Sequence, residues 1–120
     1  MECIANELEM ERARFMLITM GVLPSKKGFN YLADCIYLFS LGGKSLHEVY
    51  LDVSEKYDVS MSNLDRCMRT CLGSLSSTDT IDRINRMARC QLVGGGTIFT
   101  CSSFISLLSE FLRSQSYLNF

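Results

Sequence analysis

Apolar residues recur at every third or fourth position along most of this chain, which is the spacing of one buried helix face. The pattern is clearest in two neighbouring segments and predicts helices over residues 46–57 and 61–75. Asp58, Val59 and Ser60 interrupt it, and two helices joined by so short a turn predict a helix-turn-helix unit. The predicted inward positions are Leu46, Val49, Tyr50, Val53 and Tyr57 in the first helix, and Leu64, Cys67, Met68, Cys71, Leu72 and Leu75 in the second.

The same spacing predicts four further helices, over residues 5–20, 28–40, 78–89 and 101–114. Gly21 is expected to end the first of them, and Thr100 to cap the last. Residues 91–99 contain a glycine triplet without a following Gly-Lys-Ser/Thr, so we predict a connecting loop and not a phosphate-binding P-loop. The predicted inward residues are Leu8, Phe15, Met16, Ile18 and Met20, then Leu32, Cys35, Ile36 and Phe39, then Ile81, Ile84, Met87 and Ala88, and finally Phe104, Leu107, Leu108, Phe111 and Leu112.

The fold class follows from these patterns. Apart from a short extended piece at residues 97–99, no strand pattern occurs, so the sequence predicts an all-α fold, a compact bundle of about six helices. A hydrophobic content of 48% indicates a globular core and not a disordered chain. A length of 120 residues suits a single domain over residues 1–120.

The charge distribution changes this picture only locally. The chain carries 12 basic and 13 acidic residues, a net charge of −1, whereas a nucleic-acid-binding domain usually has a basic surplus. Between residues 60 and 90, however, five arginines stand against three aspartates. A modest positive field is therefore expected around this part of the chain.

Residue types for catalysis or metal binding are sparse. Six cysteines occur without a C-x-x-C pair and His47 is the single histidine, so we predict no metal site and no cofactor. No base and nucleophile pair can be argued from spacing, so we expect no enzyme. The acidic N-terminal segment lacks the apolar run of a signal peptide, and no stretch reaches about 18 apolar residues. We therefore expect a cytoplasmic protein that does not enter the membrane.

The polar face of the 61–75 helix carries side chains that suit DNA. Arg66 and Arg69 lie one turn apart near its start, and arginine can donate two hydrogen bonds to guanine in the major groove. Asp65 lies beside them, and a carboxylate can accept a hydrogen bond from cytosine. The alternative is an ordinary helical hairpin with a charged, solvated face, and the spacing alone leaves both interpretations open.

A second basic surface is predicted on the 78–89 helix, where Arg83, Arg86 and Arg89 recur every three residues. Arginines placed in this way would contact phosphates and position the protein on a duplex without reading bases. The alternative is a solvated face stabilised by an ion pair between Asp82 and Arg86, which lie four residues apart.

Three stretches of the sequence resemble a known family. They are GVLPSKKGFNYLADCIYLF, VSEKYDVSMSNLDRCMRTCL, and the pair IDRIN and FTCSSFISLLSEFL. Over residues 17–113 they resemble the C-terminal DNA-binding effector domain of the stage-zero sporulation response regulator, a transcription factor of spore-forming bacteria. The matching positions are Gly21, Lys27, Gly28, Tyr31 and Leu32 in the first stretch, and Lys56, Tyr57, Ser62, Arg66 and Arg69 in the second.

The resemblance implies a sequence-specific transcription regulator whose recognition helix, residues 61–75, enters the major groove of double-stranded DNA. The family reads bases through a Glu-Arg-x-x-Arg set, which corresponds here to Asp65, Arg66 and Arg69. It also implies a homodimer on DNA, with two domains side by side on repeated boxes, and contact with RNA polymerase sigma factor. We expect the phosphate contacts to come from Ser60, Ser62, Asn63, Thr70, Arg83 and Arg86.

The start of the recognition helix bears on the role of Asp65. With Ser62 as the N-cap, Asp65 would complete a capping box. The family carries proline where Met61 stands, and proline favours the first helical position. We therefore expect Ser60 to be the N-cap, which leaves Asp65 one turn in and directed at the groove.

Several departures from the family favour an alternative function. The family's histidine, tryptophan and basic residue are Thr70, Ser76 and Thr78 here, and we expect no N-terminal receiver domain. The net charge is close to zero, and the C-terminal tail, with Tyr117, Leu118 and Phe120, is apolar. These features suit a protein-interaction module of the same fold that acts through a full-length regulator or a sigma factor.

Overall fold

A computed structural model describes residues 2–73, 77–88 and 100–118 of the chain. Every regular element in these residues is helical, which confirms the predicted all-α fold. α3 has the predicted bounds, whereas α1 begins earlier and α6 ends later than predicted. The helices are α1 (Glu2–Thr19), α2 (Lys27–Ser40), α3 (Leu46–Tyr57), α4 (Met61–Gly73), α5 (Ser77–Ala88) and α6 (Cys101–Leu118).

α2 is the central helix and packs against α1, α3, α4 and α6. All residues from Tyr31 to Ile36 are buried, including those on opposite sides of the helix. This middle part of the helix has neighbours on every side, so it is apolar nearly all round, whereas Lys27 and Asn30 near the start of α2 are exposed. The two helices of the helix-turn-helix unit, α3 and α4, therefore share one buried support.

Hydrogen bonds as well as apolar packing attach α6 to α2. The buried Ser109 hydroxyl donates to the Ile36 carbonyl oxygen over 3.0 Å. Arg113 Nε donates to the Ser40 carbonyl oxygen over 3.2 Å, which pairs one of the carbonyl groups that a helix leaves open at its end. α6 therefore fixes the C-terminal end of the central helix.

The predicted inward face of α1 is wrong in part. Leu8, Phe15 and Ile18 are 54%, 70% and 50% exposed. The buried positions are Ala13, Met16, Leu17 and Met20. The error arises because α1 carries apolar side chains on two faces, and only one of them meets α2 and α6.

Elsewhere the predicted core is largely confirmed. Buried as predicted are Leu32, Cys35, Ile36, Val49, Val53, Leu64, Met68, Cys71, Ile81, Ile84, Phe104, Leu108 and Leu112. Packed against them and half-buried are Phe39, Leu46, Tyr50, Tyr57, Cys67, Leu72, Leu107 and Phe111. Leu75, the 91–99 loop, and the side chains of Met87, Ala88 and the C-terminal tail lie outside the described residues.

Candidate nucleic-acid interface

The turn between α3 and α4 is closed by its own backbone. Asp58 adopts φ 54° and ψ 50°, a left-handed conformation that aspartate visits more readily than most residues because its short polar side chain bonds locally. The Val59 amide donates to the Ser54 carbonyl oxygen over 3.0 Å. The Asp58 amide donates to the Glu55 carbonyl oxygen over 3.3 Å. These two bonds form a Schellman end, which reverses the chain before α4 begins.

Ser60 caps α4, as predicted. Its hydroxyl accepts a hydrogen bond from the Asn63 amide over 3.1 Å, and its carbonyl oxygen accepts the first helical bond, from Leu64, over 2.9 Å. Ser62 is exposed and lies within the first turn. The capping box that would occupy Asp65 is therefore not formed at this helix.

A three-residue polar network ties α3 to the central helix. Asp34 is 3% exposed, and one of its carboxylate oxygens accepts from Lys56 Nζ over 3.0 Å and from the Tyr57 hydroxyl over 2.5 Å. Burial, and then the hydrogen bond to Asp34, raise the pKa of Tyr57 above its ordinary value. The last turn of α3, just before the helix-turn-helix turn, is thus fixed to α2.

α4 lies unusually close to the start of α2. Its inner side chains Leu64, Met68 and Cys71 are buried. A Cβ built on Gly28 would lie 2.6 Å from Cys71 Sγ, which places this sulfur against the first turn of α2. Burial raises the pKa of the Cys71 thiol. α4 is therefore held by packing on one side only, and its opposite side faces solvent.

That opposite side presents the predicted base-reading residues. Arg66 and Arg69 are both exposed, and the Arg69 side chain is 67% accessible. Asp65 Oδ2 lies 2.9 Å from Arg69 Nε, and Arg66 Nη2 donates to Asn63 Oδ1 over 2.7 Å. Each arginine therefore has one acceptor on its own helix and remains exposed.

The other predicted phosphate-contacting residues are distributed over two helices. The Thr70 hydroxyl donates to the Arg66 carbonyl oxygen over 2.9 Å, so its hydrogen is directed back at the helix. On α5, Arg86 is exposed and Arg83 is half-buried. The alternative ion pair between Asp82 and Arg86 is not formed among the ion pairs of the described residues, and the Arg89 side chain lies outside them.

Sequence reasoning missed two basic residues beside this surface. Lys26 and Lys27 line a surface pocket of about 340 Å³ together with Arg66 and Thr70. The adjacent lysine pair was visible in the sequence, but nothing in helical spacing places the start of α2 against the outer edge of α4.

No group of three histidine, cysteine or acidic side chains within the described ranges is arranged to hold a metal ion. Across those same ranges, no helix has the length and apolarity needed to cross a bilayer.

A short turn, a capped second helix and an exposed arginine face define a helix-turn-helix domain of the DNA-binding class. The model of one particular family, sporulation initiation factor Spo0A C terminal, matches residues 13–112. The chain belongs to this family of DNA-binding effector domains, which confirms the resemblance noted in its sequence.

Proposed function

We propose that this chain is a sequence-specific DNA-binding transcription regulator that inserts α4 into the major groove. The observation that carries the proposal is the solvent exposure of Arg66 and Arg69, one helical turn apart, on a helix whose other side is buried. A major groove is about 12 Å wide and admits a helix of about 10–12 Å diameter. Such a regulator would work in the cytoplasm, where the bacterial chromosome lies.

The base-reading set would be Asp65, Arg66 and Arg69. Each arginine would donate two hydrogen bonds to guanine O6 and N7. Asp65 holds Arg69 through Nε, and its other carboxylate oxygen would accept from cytosine N4. The ion pair therefore supports the reading role, because it limits the directions that the Arg69 guanidinium adopts.

Phosphate contacts would surround this set. Ser60, Ser62 and Asn63 lie at the start of α4, where the helix dipole favours an anion. Arg86 and Arg83 on α5 would add charge, and Thr70 would contact a phosphate after its hydroxyl turns away from the Arg66 carbonyl. Such contacts set the position of a protein on the duplex without reading its sequence.

The direct test is enrichment of duplexes from a random pool, followed by fluorescence-anisotropy titration of the enriched duplex. Arg66→Ala and Arg69→Ala should each weaken specific binding by about 1–3 kcal/mol and relax the preference at one base. Arg12→Ala is the matched control, since it removes an arginine of α1, a helix outside the helix-turn-helix unit. Failure of the folded wild-type protein to enrich any sequence would contradict the proposal.

A homodimer would pair two copies through the exposed face of α1. Leu8, Phe15 and Ile18 lie on this face, and Glu11 completes an alternating three-four spacing, which is that of a helix–helix seam. An antiparallel pair related by a two-fold axis would set Leu8 of one copy against Ile18 of the other. In the same register each Glu11 would lie opposite Phe15 of the other copy.

Analytical ultracentrifugation, with and without the enriched duplex, tests this pairing. Phe15→Ser should shift the protein to monomer, because Phe15 is 70% exposed at the centre of the face. Leu41→Ser is the matched control, since Leu41 is 60% exposed but lies after α2. Equal behaviour of the two variants, with a wild-type dimer, would place the contact elsewhere.

The second candidate is a protein-interaction module that acts through a full-length sporulation regulator or a sigma factor. It is favoured by the net charge of −1, which leaves the chain without the basic surplus usual in a nucleic-acid binder. Pull-down of those two partners by the chain, set against the anisotropy titration, separates the candidates. Partner capture by a folded chain that selects no duplex would establish the second candidate and exclude the first.

A further inference from the structure

The pocket between the start of α2 and the outer edge of α4 has the composition of an anion site. It has a volume of about 340 Å³. Three of its seven lining residues are cationic, Lys26, Lys27 and Arg66, and none of the seven carries a carboxylate. Thr70 adds a hydroxyl at the same opening.

The two lysines of this pocket lack the partners that the other lysines have. The chain contains four lysines. Lys44 pairs with Asp52, and Lys56 pairs with Asp34. Among the ion pairs of the described residues, neither Lys26 nor Lys27 takes part. Positive charge is therefore concentrated, without internal compensation, at the one end of α2 that meets α4.

Side chains, and not backbone amides, are the available donors of this pocket. The Phe29 amide donates to the Lys26 carbonyl oxygen over 3.1 Å, and Gly28 is buried against Cys67 and Cys71. An anion in the pocket would therefore be held by the two lysine ammonium groups, with Arg66 at the edge of the pocket left to contact a base and the α2 dipole adding only a background field. Gly28 lies against the α4 backbone. The backbone that carries Lys26 and Lys27 is therefore held close to the recognition helix.

The position of the pocket identifies the source of the anion. Arg66 and Thr70 belong both to the pocket and to the exposed side of α4. A helix in the major groove nearly fills its width, so groups on the flank of that helix meet the sugar–phosphate backbone that borders the groove. We infer that the pocket binds one backbone phosphate of the duplex, with Lys26 and Lys27 as its principal ligands, an inference that rests on the proposed DNA binding.

The test is the salt dependence of DNA binding. The double variant Lys26→Gln, Lys27→Gln is compared with wild type and with Lys44→Gln by anisotropy titration at several KCl concentrations. Lys44 is the matched control because it follows the opposite end of α2 and is paired with Asp52. Each protein is titrated with the enriched duplex and with a scrambled duplex, after thermal unfolding has shown that it is folded.

For the double variant we expect the slope of log Kobs against log salt to fall by about 1, the value for one lost phosphate contact. Affinity should fall by the same factor for both duplexes, so sequence preference is retained, and Lys44→Gln should match wild type. An unchanged slope in a protein that still prefers its enriched duplex would overturn this inference and leave the proposed function standing. A wild-type protein that prefers no duplex would overturn the proposed function itself.

A second experiment distinguishes binding of a DNA backbone phosphate from binding of a free anion in this pocket. Inorganic phosphate is added at constant ionic strength while the thermal midpoint is followed. We expect no difference between wild type and the double variant, because the pocket should need a phosphate held in place by the rest of the duplex. A midpoint that rises in wild type alone, together with an unchanged salt slope on DNA, would make this a free-anion site and overturn the inference.

Discussion

The backbone of Gly28 in α2 lies against the backbone of Cys67 in α4 with no side chain between them. A Cβ on Gly28 would lie 2.8 Å from the Cys67 carbonyl carbon and nearer still to its oxygen. It would also lie 2.6 Å from Cys71 Sγ. The main chain of α4 is part of a regular helix and cannot yield locally, so any side chain at this position would push the two helices apart.

We therefore expect Gly28→Ala to lower the free energy of unfolding by about 1–3 kcal/mol, the usual cost of overpacking a fitted contact. Urea denaturation measures the change. Gly73→Ala on α4 is the matched control, since a Cβ there meets nothing within 4 Å. In a helix this control substitution is expected to be neutral or to stabilise by up to about 1 kcal/mol. Equal losses in both variants would contradict the packing argument.

The cap of the recognition helix gives a second prediction. Ser60→Ala removes the acceptor for the Asn63 amide and should cost about 1 kcal/mol of unfolding free energy. Ser62→Ala is the control, because Ser62 is exposed within the first turn and caps nothing. Thermal or urea unfolding, followed by circular dichroism, compares the two. A larger loss of unfolding free energy in Ser62→Ala than in Ser60→Ala would show that Ser62, and not Ser60, caps α4.

Much of the fold could be predicted because helical spacing is a local property. The bounds of α3 and the inward positions of α4 follow from residues within two turns of one another, whereas the choice of Ser60 over Ser62 as the cap depended on the family's proline at the position of Met61. The neighbours of each face are not local, which is why Phe15 was wrongly placed in the core. Lys26 and Lys27 were missed for the same reason, since their role depends on how α2 crosses α4. The capping box of Ser45 and Glu48 at the start of α3 was not predicted, although its S-x-x-E signature is visible in the sequence.

The buried carboxylate of Asp34 gives a third prediction. Tyr57→Phe removes a hydrogen bond to a charged acceptor, so we expect the unfolding free energy to fall by about 1.5–3 kcal/mol. Tyr37→Phe is the matched control. Tyr37 borders the same surface depression as Asp34, but no described residue accepts a hydrogen bond from its hydroxyl. Its loss should stay within about 0.5 kcal/mol, and a similar loss in both variants would rule out the network as the cause.

Alkaline pH should destabilise the fold through its buried thiols. Burial raises the pKa of Cys101 from 9.0 to about 11. The folded state holds this proton more tightly than the unfolded chain does, so the stability linked to it is complete below about pH 9 and is lost as the pH rises through about 11. Urea denaturation across this range should show the loss. Cys101→Ala should show a smaller loss, and an unchanged pH dependence in that variant would contradict the assignment.

The ion pair between Asp65 and Arg69 predicts that one substitution changes nonspecific and sequence-specific DNA binding in opposite directions. Asp65→Asn removes a negative charge near the duplex, so affinity for a scrambled sequence should rise. It also removes the charged partner that orients Arg69 Nε, so the preference for the enriched sequence should fall. Asp52→Asn, the same charge change on α3, is the control. A uniform rise for both duplexes would show that Asp65 acts only as an unfavourable charge.

The left-handed bend at Asp58 has a consequence for the DNA duplex that this chain is proposed to bind. Its backbone bonds, together with the attachment of Tyr57 to α2, leave α3 and α4 little freedom to swing relative to each other. When the DNA-binding unit has a fixed shape, the duplex must deform to fit it. Sites with pliable pyrimidine–purine steps would then be preferred even at base pairs that no side chain touches.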